Sequence, residues 1–564
     1  MPPGELTADS HLSVPLAACW RDPSPSRAAA PSSGVSVQRS LLVTALLTCA
    51  IAAPVGHAQQ SRLPDMGSSA GTVLGPAQQA EYGQMLLAQL RHYDMVLQDP
   101  LLDAWLQGIG NRLATASDKP RQPFTFFWMR DRQINAFATL GGYVGMNAGL
   151  VLTADSEDEM ASVLAHEIAH VTQDHVLRSV ERAKRDSVPI LLAMLGAMAI
   201  AQSAGGNSAD DATMAAIASA QGLMIQRQID YTRSNESEAD RIGIQALARS
   251  GYDPNGAAAM FQRMQSAFRA NRGGVRERTP DYLQTHPVTT TRIAEAKQNA
   301  EQVARSGSGF SGAAGAIDNP LLPGSLKVTG SGLRGASGQF GMARERLRVL
   351  SASTPEQAIR EYEQIARAGK LSANQQYGLA LAHLLDGKAS TALREFQMLH
   401  EQSPQDAWIT LGLAQSQALA GQTAAADALF ESILTRVPDN RAAVMTYAAV
   451  LNQRNTPASG QRAQTILRPL LASAASDPLF QNTFARASEI AGDPIRAGEA
   501  YAEAAWLNGR AEQALVQLNT LRKRDDLDYY ARARIDARIA AITPVVLELQ
   551  RQGVRDPDLD PNRR

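Results

Sequence analysis

The sequence predicts a mainly α protein built in two parts, an α+β domain followed by an α-solenoid. Three observations predict it. A capped amphipathic helix over about 156–171 carries His166, Glu167 and His170, with strand candidates just upstream. A stretch at 303–338 is rich in Gly, Ser and Ala and reads as a linker. Beyond it the chain repeats with a period of 34 residues.

Length and composition set the frame. The 564 residues allow two or more domains, and a formal net charge of −1 argues against a nucleic-acid partner. Aromatic residues are sparse and alanine is abundant, which favours helix. Residues 1–38 are rich in Pro, Ser and Ala and lack periodicity. Arg39, the apolar run Leu41–Ala53 and Gly56-His57-Ala58 then read as a secretory signal, so that 1–58 is an N-terminal extension with a signal peptide. The signal begins late, which suggests a start near Val35 or Val37, and export to the periplasm is expected. Cys49 follows Leu46-Leu47-Thr48, a poor lipidation site. Cys19 and Cys49 are the only cysteines, so no intrachain disulfide is available after Ala58.

The next segment, 59–302, carries the chemistry. Helices are expected over Ala77–Met95 and Pro100–Ala114 and a strand over Phe124–Met129. Asn135–Met146 reads as a hairpin or strand pair about Gly141-Gly142. Ser156 with Glu159 reads as a capping box, and Met160, Val163, Leu164, Ile168 and Val171 give the following helix an apolar face. His166 and His170, four apart, lie on one face and can direct two imidazoles at one metal ion. Glu167 beside them can take a proton from water held at the open position. This is the arrangement of zinc peptidases.

Two histidines are an incomplete ligand set. The extended pattern with a glycine and a third histidine is excluded, because Gln173 and Val176 occupy those places. His175, five residues after His170, is expected on another face. Asn235-Glu-Ser-Glu-Ala-Asp240 offers Glu236 and Asp240 on one helical face, with Glu238 pointing roughly opposite. Glu236 is the expected third ligand, and Asp240 the expected acceptor for the outer N–H of a ligand histidine.

H-E-I-A-H followed by N-E-S-E-A-D resembles the M48 metallopeptidases over about residues 75–300. The resemblance implies a zincin-type α+β domain with one Zn2+ held by His166, His170 and Glu236, Glu167 catalytic and Asp240 supporting. Thr285-His-Pro-Val288 resembles the M48 segment whose histidine approaches the zinc from outside. His286 is then either an occupant of the open position at rest or an oxyanion donor, and Arg292, six residues on, a candidate for the same roles. Without the resemblance, His286 is a histidine ahead of a helix with Pro287 in its first turn. Tyr143–Met146 is the candidate for an edge strand that pairs with extended substrate, with a core hairpin as the alternative. Residues 188–206, strongly apolar, fit a core helix, a lid over the site or a membrane-touching patch, the last implying peripheral membrane contact. A helix is expected from about Asp211 through Gln226.

After the linker, Gly378 and Gly412, Gly387 and Gly421, Phe396 and Phe430, and Pro404 and Pro438 are each 34 apart, as are Tyr362 and Phe396. Ala358, Ala392 and Ala426 keep the register, and weaker copies run through Ala463 and Ala497. This is the tetratricopeptide pattern. It places a solenoid with a concave binding face at 339–550, expected to fold without the preceding residues, and leaves 551–564 as a disordered tail. An exported M48-like peptidase with such an array resembles the envelope members of that family. The resemblance implies unfolded or misassembled outer-membrane proteins as substrates, and outer-membrane assembly machinery as a partner of the repeats. The competing reading is a chaperone or scaffold whose proteolysis is normally suppressed.

Overall fold

A small sheet and the helix behind it position everything else. The structure, a computed structural model, describes residues 74–179, 181–182, 232–270, 286–306 and 336–551. The expected export signal, the apolar stretch 188–206, the helix from Asp211 and the tail beyond 551 lie outside the described residues, as does most of the 303–338 linker.

Helix α1, Pro76–His92, begins with proline in its first turn, and Gln78 reaches back to accept from the Gly75 N–H at 3.1 Å. Strand β1, Val96–Leu97, is too short to leave a periodic signal. In α2, Pro100–Thr115, the Asp99 carboxylate caps the Leu102 N–H at 3.0 Å. Strands β2 (Thr125–Met129), β3 (Ala136–Thr139) and β4 (Tyr143–Asn147) follow. The sheet order is β1-β2-β4-β3, with β2 parallel to β4 and β3 antiparallel to it. The turn at Leu140–Gly142 needs its glycines. Both have positive φ (75° and 80°), and a side chain on Gly142 would collide with the Pro123 carbonyl. The expected strand pair is therefore present, but Tyr143–Met146 is not its edge. β4 is interior, flanked by β2 and β3, and β3 is the free edge. Sequence alone showed two strands about the Gly-Gly turn and not which of them β2 would pair with.

After a short helix α3 (Ala148–Thr153), helix α4 (Glu157–Thr172) lies against the sheet and buries Met160, Val163, Leu164 and Ile168. They share a core with Trp105, Leu106 and Ile109 of α2 and with Trp128 and Met146 of the sheet. The capping box is half formed. Ser156 accepts from the Glu159 N–H at 3.2 Å, while Glu159 accepts from Asp155 N–H at 2.9 Å and pairs with Arg263 at 2.8 Å. Helix α5, over 232–249, crosses α4 at backbone contact, which Gly243 permits: a Cβ there would stand 3.1 Å from His166 Cα. Gly251 ends this segment at φ 85°, and α6 (Gly256–Ala270) restarts the helix, as the Gly-Tyr-Asp-Pro-Asn stretch predicts. Helix α7, Thr290–Ser306, runs on past residue 302 into residues expected as linker.

The remaining helices are α8 (Phe340–Leu350), α9 (Pro355–Ala368), α10 (Ala373–Leu385), α11 (Ala389–Gln402), α12 (Ala407–Leu419), α13 (Thr423–Arg436), α14 (Arg441–Arg454), α15 (Pro457–Leu467), α16 (Pro478–Ile490), α17 (Pro494–Leu507), α18 (Ala511–Arg522) and α19 (Tyr529–Arg551). The repeat register has a packing cause. Gly378 faces Tyr362, and 34 residues on Gly412 faces the Phe396 ring, in each case with no room for a Cβ. The next repeat replaces this contact by stacking Phe430 on Tyr447, with centroids 4.6 Å apart.

The array is not a free appendage. One contiguous apolar core runs from Leu97 through the sheet and α4 into the repeats. Helix α8 anchors it: Arg346 donates from Nε and Nη2 to the Asp99 carboxylate at 2.7 and 2.6 Å and from Nη1 to the Tyr377 hydroxyl at 3.1 Å, all buried. Breaking such a pair leaves an uncompensated buried charge. The expected independence of the array from residues before 339 is at odds with this shared core. No helix among the described residues is long and apolar enough to cross a membrane.

Candidate metal centre

Helices α4 and α5 and the segment ahead of α7 bring five predicted side chains to one point. His166 and His170 project from one face of α4, one turn apart, and their Nε2 atoms are 2.9 Å apart. Glu236 faces them from α5, with Oε2 at 3.5 Å from His166 Nε2 and Oε1 at 3.4 Å from His170 Nε2. His286 enters from the third side. Its Nδ1 is 2.9 and 3.0 Å from the two Glu236 oxygens and 3.4 Å from His166 Nε2. One donor atom from each of His166, His170, Glu236 and His286 lies within 4.8 Å of every other. Glu167 is 1% exposed, its Oε1 without a hydrogen-bond partner and 3.9 Å from His286 Nε2.

Imidazole and carboxylate donors converging so closely, with a carboxylate oxygen left unpaired beside them, could hold a divalent metal ion of the zinc type. The electrostatics are those of a site built around a cation. Burial alone would lower the His166 imidazole, but Asp240 and Glu236 hold it up at about 10. Burial pushes His170 down to about 3, against the pull of Glu236. Burial would raise Glu236, yet three histidines hold it well below the usual carboxylate range. Burial raises the Glu167 carboxyl, partly countered by His286 and His166.

Behind the cluster lie two supporting chains. Asp240 Oδ1 is 2.9 Å from His166 Nδ1, as the i,i+4 spacing from Glu236 predicts. Arg292 grips Asp240 with Nε and Nη2, both at 2.8 Å, and reaches Glu236 from Nη1 at 2.9 Å, its guanidinium over the Phe261 ring. Arg292 thus stands behind the carboxylates and not at the open side, where an oxyanion donor belongs. The second chain was missed. His170 Nδ1 meets His175 Nδ1 at 2.7 Å, His175 Nε2 meets Glu238 at 3.1 Å, and Arg178 donates to the same Glu238 oxygen at 2.6 Å. His175 and Glu238, set aside on helical-face grounds, are joined to the cluster. The signal was present in the chain: a third histidine three residues past the end of α4.

The outward faces of Glu167 and β3 meet. Asn147 N–H donates to Asn135 O at 3.0 Å, so Phe137 and Thr139 pair inward with β4 while Ala136 and Ala138 turn their backbone groups away from it. The Ala138 backbone reaches the Glu167 carboxylate.

This fold and cluster, followed by helical repeats, define a metallopeptidase that carries a tetratricopeptide array. Peptidase family M48 matches residues 100–300, and a tetratricopeptide-repeat family matches residues 383–450. The chain is 30% identical over 508 residues to the beta-barrel assembly-enhancing protease of Escherichia coli K12, covering 89% of this chain and 96% of that one. A Vibrio cholerae relative is 42% identical over 263 residues, spanning 46% of this chain and about half, 52%, of that protein. Mitochondrial metalloendopeptidase OMA1 of Saccharomyces cerevisiae is 29% identical over 199 residues, 35% of this chain and 49% of its own length. The chain belongs to the M48 peptidase family, among its members with tetratricopeptide repeats.

Proposed function

We propose that this protein is a zinc-dependent endopeptidase of the periplasm that cleaves unfolded or misassembled outer-membrane proteins, its repeats engaging the assembly machinery. The observation that carries the chemistry is the convergence of His166, His170 and Glu236 beside the buried, unpaired Glu167 oxygen. In this reading those three hold the metal, and Asp240, oriented by Arg292, fixes the His166 ring. A bound zinc ion supplies Lewis acidity toward the scissile carbonyl and acidifies water. Glu167 takes the proton from the attacking water and passes it to the leaving amine, and its raised pKa suits the return step. Substrate lies extended along β3, held by the outward groups of Ala136 and Ala138, which reads main chain and not sequence. The substrate class and compartment rest on the expected signal in 1–58 and on what the relatives' names say of those relatives. Elemental analysis tests the ligand set: Glu167→Gln should keep one zinc per chain and lose cleavage, and Glu236→Ala should lose most of the zinc. Full zinc in Glu236→Ala removes that assignment.

A second reading is favoured by His286. With Nδ1 inside the ligand cluster, it can occupy the open position, suppress proteolysis at rest and leave a chaperone-like scaffold. His286→Ala then retains zinc and cleaves an unfolded protein, and itself, less selectively. An oxyanion role instead gives a turnover loss of roughly 10²–10³ without broader targets.

A further inference from the structure

At its far end the array closes back onto α1. Arg91 Nη1 donates to Leu507 O at 3.3 Å, and the turn between α17 and α18 comes close enough that a Cβ on Gly509 would stand 2.7 Å from the Ala88 carbonyl. Two cavities flank this contact. One, of about 590 Å³, has three guanidinium groups on its wall, Arg91, Arg130 and Arg510, against the single carboxylate of Asp94, which pairs with Arg130 at 3.4 Å. The other, of about 660 Å³, is apolar and lined by Met85, Trp506, Val545 and Leu549. Arg91 and His92 line both, so the two are adjacent.

The charged cavity holds buried polar atoms with no partner: Arg91 Nε and His92 Nδ1 on the α1 side, Gln513 Oε1 and Gln517 Oε1 on α18. Native structures leave few such atoms, and a group of them around one cavity marks a ligand. The ligand must bring negative charge for the guanidinium groups, N–H donors for the glutamine oxygens, and an apolar portion for the neighbouring groove. An inorganic anion supplies only the first. A fatty acid supplies the first and third. The end of a polypeptide supplies all three.

We propose that this junction binds the C-terminal end of an extended polypeptide, with the α-carboxylate among Arg91, Arg510 and the glutamines of α18 and apolar side chains in the Met85–Trp506 groove. Recognition of a free chain end by a guanidinium cluster is independent of sequence except for the apolar requirement.

The test is fluorescence anisotropy on the full Glu167→Gln chain, which binds without cutting, so that a negative result here leaves peptide hydrolysis untouched. The probes are a labelled peptide ending in leucine with a free carboxylate and the same peptide ending in an amide. The free acid should bind about tenfold tighter or more, the loss on amidation being that of a charge-assisted contact. Arg510→Gln should remove most of that difference, and Met85→Glu should weaken the acid. The comparison of acid with amide on one chain needs no folded variant. Equal affinity for the two peptides overturns the proposal. So does displacement of the acid by sodium oleate at lower concentration than by the unlabelled peptide, which would make a lipid anion the occupant.

Discussion

Burying two imidazoles and two carboxylates side by side is costly unless each lone pair and proton is accounted for. His166 is secured by Asp240 and Arg292, and His170 by His175, Glu238 and Arg178. His175→Ala should therefore lower zinc affinity about 10–100-fold while leaving helix content unchanged, and Glu238→Ala should do so to a lesser degree. A chelator titration followed by elemental analysis measures this, and undiminished affinity in His175→Ala would show that His170 needs no support. The two chains differed in how legible they were. Glu236 and Asp240 sit on one continuous helix, where a spacing of four fixes a shared face. His175 lies beyond the end of α4. Gln173 caps that helix and Asp174 takes a left-handed conformation at φ 54°, which swings His175 back against His170. A face computed by continuing the helix cannot see that turn. His286 was legible only through its His-Pro resemblance, since no local period links it to residues 120 positions earlier.

Among the elements, β3 has the most direct consequence. Its position was not legible because the Gly141-Gly142 turn announces two strands without saying which lies outside; the parallel pairing of β2 with β4 decides it. The alternate backbone groups of an edge strand are open to a partner. Ala138 presents its N–H on the Glu167 side, whereas Phe137 spends its own on β4. Ala138→Pro removes one outward donor without breaking the ladder to β4. Cleavage of an unfolded protein should fall about tenfold, the worth of one well-placed hydrogen bond, with zinc content intact. Cleavage at the normal rate in a zinc-loaded Ala138→Pro chain would mean that substrate does not lie along β3. The repeats, by contrast, were legible helix by helix, because each glycine–aromatic contact recurs at the same 34-residue step.

For the whole molecule, the junction between protease and repeats was the least legible feature, since periodicity describes neighbours in sequence and the junction joins residues hundreds apart. Arg346 meets Asp99 across 247 positions. One step along α2, Asp103 occupies the same junction, facing Asp99 on its own helix, Arg91 of α1 and Arg441 of α14. Arg346 is engaged with Asp99 and Arg441 with Asp477, so neither arginine is given over to Asp103. Burial, with the nearby Asp99 charge, pushes the Asp103 carboxyl up to about 7. In the unfolded chain it titrates near 3.8. The folded state thus holds a proton that the unfolded state has lost between these values, and stability falls as pH rises from about 4 to about 7. Above that range the chain carries the cost of a buried charge; below it the cost is absent. Asp103→Asn keeps the shape and removes the charge. It also gives up a carboxylate in the first turn of α2, worth roughly 0.3–1 kcal/mol. The net expectation is a melting temperature raised by about 2–4 °C at pH 8 and unchanged or slightly lowered at pH 4.5. Thermal unfolding of the full chain at the two pH values reads this directly. A gain of equal size at both would place the effect elsewhere than in the Asp103 proton, and a loss at pH 8 would mean that Arg91 and Arg441 hold the carboxylate more firmly than its burial opposes it.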